Sequence, residues 1–391
     1  MAAMVVAGSQ SQAPRIVLAG ALARRPRAGG HAWVFLQYLL GLRRLGYDVL
    51  FVDWLDAETC GGPVERSSEA AYLARVMDEH GLATSWSLLD RTTGAAAAGL
   101  PRAEVLERAQ RSSLLLNVMG YLDDEEILAA APLRVFLDID PGFPQMWREL
   151  GLADVFAGHD RFVTIGERVA LEGCGVPTCG LDWIRTRPPV VLERWPVRPV
   201  VDGSFTTVGS WRGAFAPVEY QGTRYGLRAH ELRKFARLPE CSTQRFELAL
   251  DLDQADADDR ELLEQSGWRL VDPVEVAADP SSYQAYIAAS RAELMVAKGM
   301  YVDTRSGWFS DRSTCYLASG KPVVAQNTGL EDLYPLDAGL LTFSTPDEAA
   351  AAVEEVATDY ERHALAAREI AEEYFDSDKV LGRLLERLAT R

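Results

Sequence analysis

The chain has 391 residues, with 40 basic against 57 acidic side chains and a formal net charge of −17. At about 150 residues per domain this length accommodates two or three domains. With 48% hydrophobic, 25% charged and 9% aromatic residues, the composition is that of a globular protein and excludes a disordered, collagen-like or coiled-coil chain. So acidic a chain lacks the general positive field that attracts DNA or RNA, and no nucleic-acid partner is expected.

No apolar stretch approaches the ~20 residues of a membrane-spanning helix, so stable membrane insertion is not expected. Residues 1–13 read as a disordered tail without the basic and apolar regions of a secretory leader, which points to a cytoplasmic protein. Five cysteines, Cys60, Cys174, Cys179, Cys241 and Cys315, are an odd number that suits reduced thiols. Cys174 and Cys179 have no second pair nearby, so no zinc site is expected. Nothing in the sequence sets an oligomeric state.

In chain order, Arg15–Gly20 is a short apolar run typical of a buried parallel strand. A loop at 21–30 follows, carrying Arg24, Arg25 and Arg27 and the pair Gly29-Gly30. His31–Leu45 shows helical spacing with Gly46 as its stop, and Asp48–Asp53 is the next strand. Together these make one right-handed βαβ unit. Further strands are expected at 114–118, 134–138 and 162–166, with helices at 70–80 and 102–111; the alanine run 95–98 carries no signal. Prolines 188, 189, 196 and 199 place a stiff linker at about 186–203. The pattern then restarts with strands at 205–209, 246–250 and 294–297, a helix at 311–319 and a strand at 322–325. Two helical stretches, 346–374 and 378–390, close the chain, the second with a clear apolar stripe. The expected class is α/β: two Rossmann-like domains facing across a cleft, at 14–190 and 200–375, with residues 376–391 forming a C-terminal helix.

Several loops combine residues suited to anionic ligands. Ser306-Gly307-Trp308-Phe309-Ser310-Asp311-Arg312-Ser313 opens a helix, whose N-terminus presents unpaired N–H groups to a phosphate; Lys298 and Arg305 flank it. An ordinary serine cap with Asp311 complementing the helix dipole explains the same residues equally well. Ser210 and Arg212 lie between Gly209 and Gly213 at the carboxyl end of a strand, where an arginine can pair with a diphosphate, or simply cover Trp211. His31 follows two glycines at a helix start that would hold it neutral, as a general base requires, although a lone histidine is more often structural. Asp138 and Asp140 end a strand on the same sheet edge; they suit orienting His31 or binding hydroxyls, or forming the turn before Pro141-Gly142. The acidic run Asp251–Glu264 lacks calcium-loop spacing and reads as a solvated face. Between 181 and 237 there are ten basic residues and five acidic ones, a local charge of +5 inside an acidic chain.

Taken together, these stretches resemble glycosyltransferases of the GT-B architecture. Gly29-Gly30-His31 with the following helix and Leu45-Gly46-Tyr47-Asp48-Val49 is similar to their N-terminal "L-x-x-x-G-H-x-V" signature, with Tyr47 in place of the usual His. Ala318-Ser319-Gly320-Lys321-Pro322-Val323-Val324, then Thr328-Gly329 and Glu331, resembles their donor segment. The resemblance implies a metal-independent enzyme with no permanently bound cofactor, transferring sugar from a nucleotide diphosphate sugar to a small hydroxylated acceptor. It implies that Arg212 and Lys298 neutralise the diphosphate, that Ser306–Ser313 cradle it, and that Gln326, Thr328 and Gly329 approach the sugar. It places His31 as the base of inverting members, with a closing helix that crosses back to the N-terminal domain. Gly307 and Cys315 occupy the positions of the two glutamates of retaining members, a departure that argues against the retaining course. A sugar-nucleotide epimerase, or a non-catalytic subunit of the same fold, remains compatible with these residues.

Overall fold

In a computed structural model the described residues are 13–213 and 215–390, so the expected tail lies almost wholly outside them. Eight strands form the first sheet: β1 (Arg15–Ala19), β2 (Asp48–Leu55), β3 (Trp86–Asp90), β4 (Ala96–Gly99), β5 (Ser112–Val118), β6 (Arg134–Asp138), β7 (Arg161–Thr164) and β8 (Trp183–Arg185). Their order is β4-β3-β2-β1-β5-β6-β7-β8, all parallel except β4, which runs antiparallel to β3. β1 shows why periodicity alone finds such a strand. Ile16 and Leu18 enter one apolar cluster while Val17 and Ala19 enter another, so both faces are buried and the sequence reads as a continuous apolar run.

The second half contains β9 (Phe205–Gly209), a hairpin of β10 (Val218–Tyr220) and β11 (Thr223–Tyr225), then β12 (Phe246–Leu250), β13 (Arg269–Val271), β14 (Ala292–Met295), β15 (Val323–Gln326) and β16 (Leu340–Phe343). Except for the hairpin they form one parallel sheet, ordered β13-β12-β9-β14-β15-β16. In both sheets the strand order reverses beside the first strand, between β1 and β5 and between β9 and β14. Ligands of open α/β sheets bind outside the carboxyl ends of the strands at such a reversal. The two reversals face each other across a common cleft.

The helix Ser377–Ala389 buries Val380, Leu381, Leu384 and Leu388 and packs on the N-terminal helix Gly29–Arg44. Gly41 makes the approach possible, because a Cβ there would lie 2.6 Å from Leu381 Cδ1. Arg44 is ion-paired to Asp378 at 2.9 Å, and Val190 and Phe375 exchange backbone contact just before the helix. Trp33 meets Trp195 at 5.0 Å between ring centres and donates its indole N–H to the Pro280 carbonyl, so it serves interdomain packing. Trp183 belongs to the core of the first domain. No helix among the described residues is long and apolar enough to cross a membrane.

Candidate active site

The cleft between the sheets has a volume of about 600 Å³. From the first domain it receives the loop after β1, with Arg24, Arg25, Arg27, Gly29, Gly30 and His31, then Tyr121 after β5 and Asp140 after β6. The second domain contributes Ser210 and Arg212 after β9, Lys298 after β14, Arg228, and the helix start at Ser310, Asp311 and Arg312. These segments all follow carboxyl ends of strands or begin helices, so the fold brings together residues far apart in the chain.

Lys298 is buried to 9% exposure among the rings of Phe143, Phe215 and Tyr301, each within 5.4 Å of its Nζ. Its ammonium and the Tyr301 hydroxyl both donate to the carboxylate of Asp140. Burial lowers the Lys298 pKa, and Asp140 opposes that shift. Arg228 is half-buried, donates through one guanidinium nitrogen to the Ser210 carbonyl at 2.9 Å and leaves its buried Nε without a partner among the described residues. Burial and the neighbouring charge of Arg312 bring its pKa down to about 10. Arg312 in turn is ion-paired to the fully buried Glu293 at 2.5 Å and donates to the Val208 carbonyl. Ser310 caps the helix Asp311–Ala318 by accepting from the Arg312 N–H at 3.2 Å. Asp311 lies in the first turn of that helix, and burial raises its carboxyl pKa.

His31 is the third residue of the helix Gly29–Arg44. Its Nε2 lies 2.7 Å from the Ala21 carbonyl oxygen, an atom that only accepts, so Nε2 carries the hydrogen and neutral His31 offers Nδ1 as acceptor. Its pKa is lowered to about 4, first by burial and then by Arg25 and Arg24. The imidazole is thus neutral at physiological pH, as the sequence suggested, with burial and the two arginines as the cause. Asp138 does not reach the cleft. It is fully buried and accepts from Gln145 Nε2, Thr164 Oγ1 and the Asp140 N–H, so it fixes the turn that presents Asp140. Burial lifts its pKa to about 7.

Other expected site residues are placed differently. Gly29 and Gly30 line the cleft, but each is required by the opposite domain: a Cβ at Gly29 would lie 2.1 Å from the Asp279 carbonyl oxygen, and one at Gly30 would lie 2.8 Å from the Tyr283 ring. Arg212 is half exposed and ion-paired to Asp256. Arg305 does not line the cleft and pairs with Glu331 at 3.2 Å. Ser306 and Gly307 bond to Arg168 and Glu167 of the first domain, and Gly307 has φ +69 with the Arg168 backbone packed against it, so this turn docks the domains. Ser313 is buried outside the cleft. Gln326 is buried between the Ala297 N–H and Glu231. Thr328 bonds to the Trp308 carbonyl and accepts from the Gly307 N–H, and Gly329 packs on Arg168; this segment braces the 306–308 turn. Cys315 is buried against Gln37.

Sequence reasoning missed Arg228. The only signal that could have found it was the local excess of basic residues between 181 and 237.

Residues 255–386 match the family model described as "Glycosyl transferase-like". No curated protein matches the chain in sequence. Among solved structures, HepE from Anabaena, in complex with UDP and glucose, is similar with a TM-score of 0.57 and 14% identity, over 97% of this chain and 100% of that one. AviGT4, a glycosyltransferase involved in avilamycin A biosynthesis, is similar with a TM-score of 0.56 and 14% identity, over 95% and 96%. An alpha-glucosyltransferase in complex with UDP and a 13-mer DNA gives a TM-score of 0.58 at 11% identity, over 96% and 99%. The chain therefore shares the two-domain GT-B fold of these structures throughout, and has a glycosyltransferase-like sequence at residues 255–386.

Proposed function

We propose that the protein is a metal-independent glycosyltransferase that moves a sugar from a nucleoside diphosphate sugar to a hydroxyl of a small acceptor. The observation that carries this reading is the set of positive groups at the β9–β14 reversal: Arg228 with an unpartnered Nε, Lys298 beside it, and the N-terminus of the helix Asp311–Ala318. Backbone N–H groups and the helix dipole add to their charge, and together they would stabilise a departing diphosphate. UDP in the similar structures supports a uridine donor. In the proposed reaction the acceptor oxygen bonds to the anomeric carbon as the bond to the diphosphate oxygen breaks, and the hydroxyl proton passes to His31 Nδ1. With a pKa of about 4 His31 is a weak base in the free protein, and the diphosphate charge raises its basicity in the complex. The net charge of −17 favours a small acceptor over DNA.

The test is calorimetric titration with UDP, followed by release of UDP from UDP-sugars on presenting hydroxylated acceptors. UDP binding at micromolar concentration is expected. A protein that binds neither UDP nor any other nucleoside diphosphate or its sugar is not a glycosyltransferase of this kind.

A further inference from the structure

We propose that the acceptor carries an anionic group, a phosphate or a carboxylate, which Arg24 and Arg27 hold on the first-domain side of the cleft. The proposal rests on the glycosyltransferase reading and adds the chemical class of the acceptor.

The argument is one of charge matching. Of the cations that line the cleft, three already have carboxylate partners: Lys298 with Asp140, Arg212 with Asp256 and Arg312 with Glu293. A nucleoside diphosphate sugar brings about two negative charges, one per bridging phosphate. On the second-domain side Arg228 and the helix N-terminus at Ser310 face them, with Lys298 shared between the diphosphate and Asp140. Arg24, Arg25 and Arg27 remain, and none has a carboxylate within 4.0 Å among the described residues. Arg25 is engaged with the donor domain, donating to Ser210 Oγ at 3.2 Å. Arg24 lies over the ring of Tyr121, 5.5 Å from its centre. Arg27 is exposed at the mouth, with φ +63. Asp53 and Asp56 feel the charge of Arg24 without pairing to it: Asp53 accepts the Ala23 and Trp54 N–H groups inside the sheet, and Asp56 caps a short helix through Thr59.

The loop is also held in place. The Ala23 N–H is fixed by Asp53 at 2.7 Å, the Ala21 carbonyl by His31, and Gly29 by its contact with Asp279. The arginines therefore project from a rigid support, which lowers the ordering cost of binding an anion. His31 is on the same loop-to-helix segment. Arg24 and Arg27 line the same cleft as His31, and in the proposal the body of an acceptor whose hydroxyl reaches His31 Nδ1 extends toward them. Two guanidinium groups without carboxylates, next to the base and opposite the donor site, suit recognition of oxygen anions.

The experiment uses the full-length protein saturated with UDP and titrates inorganic phosphate and, separately, acetate. R24Q/R27Q and R24K/R27K serve as variants, each checked for wild-type thermal unfolding. A hydrogen bond to a charged group shifts an equilibrium by about tenfold or more. The expected result is that wild type with UDP bound takes up one of the two anions, that R24Q/R27Q weakens this by at least about tenfold while its UDP affinity stays within about twofold, and that R24K/R27K restores most of it. If R24Q/R27Q instead weakens UDP by the same factor, the arginines serve the donor and the proposal falls. It falls too if neither anion binds. A short DNA duplex that binds to the UDP complex through the same arginines would replace a small anion with nucleic acid and overturn it. Failure of UDP to bind would overturn the glycosyltransferase reading, and this inference with it.

Discussion

Asp140, at the end of a first-domain strand, is ion-paired across the cleft to Lys298, at the end of a second-domain strand. The pair ties the two domains together at the point where a diphosphate would enter, and it sets a carboxylate beside the proposed phosphate site. A phosphate must compete with Asp140 for the Lys298 ammonium. Asp140→Asn should therefore tighten UDP binding, by roughly three- to tenfold, since removing a like charge a few ångströms away is worth about 1 kcal/mol at a partly exposed site. The comparison should be made at mildly acidic pH, which keeps Lys298 charged although burial lowers its pKa and the variant removes the opposing carboxylate. Lys298→Met should weaken UDP in the same titration; unchanged affinity in both variants would remove Lys298 from the donor site.

Arg228 and Arg212 separate two versions of the donor site. Arg212 is half exposed and held by Asp256, so Arg212→Met should change UDP affinity by no more than about threefold. Arg228 is half-buried, with a buried Nε that has no partner among the described residues, and Arg228→Met should cost at least about 2 kcal/mol of UDP binding, a factor of ~30. Thermal unfolding of both variants without ligand controls for stability. If Arg212→Met is the more damaging, the sequence-based assignment was the better one.

How far the sequence reveals this arrangement depends on the physical signal each element leaves. Strands buried on both faces, such as Arg15–Ala19 and Ser112–Val118, hold the apolar runs Ile16–Ala19 and Leu114–Leu116 and are read directly. Ala96–Gly99 is a half-buried edge strand of small side chains only, so its alanine run carries no periodicity, and its partner Trp86–Asp90 is hidden between Ser and Asp residues. The hairpin Val218–Tyr225 is too short and too exposed to leave a pattern. At the cleft, the positions of His31, Asp140, Lys298 and the Ser310 cap are legible because each follows a strand or opens a helix. Gln326 to Gly329 were misplaced for a related reason: a loop after a strand lies on the functional edge, yet whether it meets ligand or braces a neighbouring turn depends on contacts with Trp308 and Gly307 that spacing does not encode. The Gly29-Gly30 pair was located correctly, but the close approach it permits is that of Asp279 and Tyr283.

Asp138 should act on stability and on Asp140 together. Its carboxylate accepts from Gln145, Thr164 and the Asp140 N–H, and the partners cannot reverse their roles: Gln145 Oε1 already accepts from Gly142 and Thr164 Oγ1 from Gly166. Asp138→Asn would set an amide N–H₂ against donors, at a cost of about 2–4 kcal/mol of unfolding free energy. Chemical denaturation measures this. A variant within about 0.5 kcal/mol of wild type would mean that the buried network tolerates reversal.

The C-terminal helix should be a structural necessity for the helix that carries His31. Leu381 is fully buried against Gly41, so Leu381→Ala should cost about 2–5 kcal/mol, the range for deleting a buried leucine side chain. Gly41→Val should be at least as damaging, because the added carbon atoms enter space held by Leu381 and Ser377. Urea midpoints provide the measurement, and a Gly41→Val protein of wild-type stability would show that the two helices do not pack this closely.

His31 gives predictions in both rate and stability. Removing a general base commonly costs about 10²–10⁴ in turnover, so His31→Gln should lose activity by such a factor while binding UDP as wild type does. In the free protein the imidazole titrates at about 4, so kcat/KM should stay flat on the acid side until near that pH. The bound diphosphate favours the imidazolium, so the corresponding pKa in kcat should lie higher. For stability the sign is set by the same depressed value. Between 6.5, the ordinary value, and about 4, the unfolded chain takes up a proton that the folded protein refuses, so acid favours unfolding through this group. Wild type should therefore lose up to about 3 kcal/mol relative to His31→Gln as the pH falls across that window, and nothing above it. Denaturation of both proteins at pH 7.5 and pH 4.5 measures the difference; a gap that does not change with pH would mean that His31 titrates normally and is open to solvent.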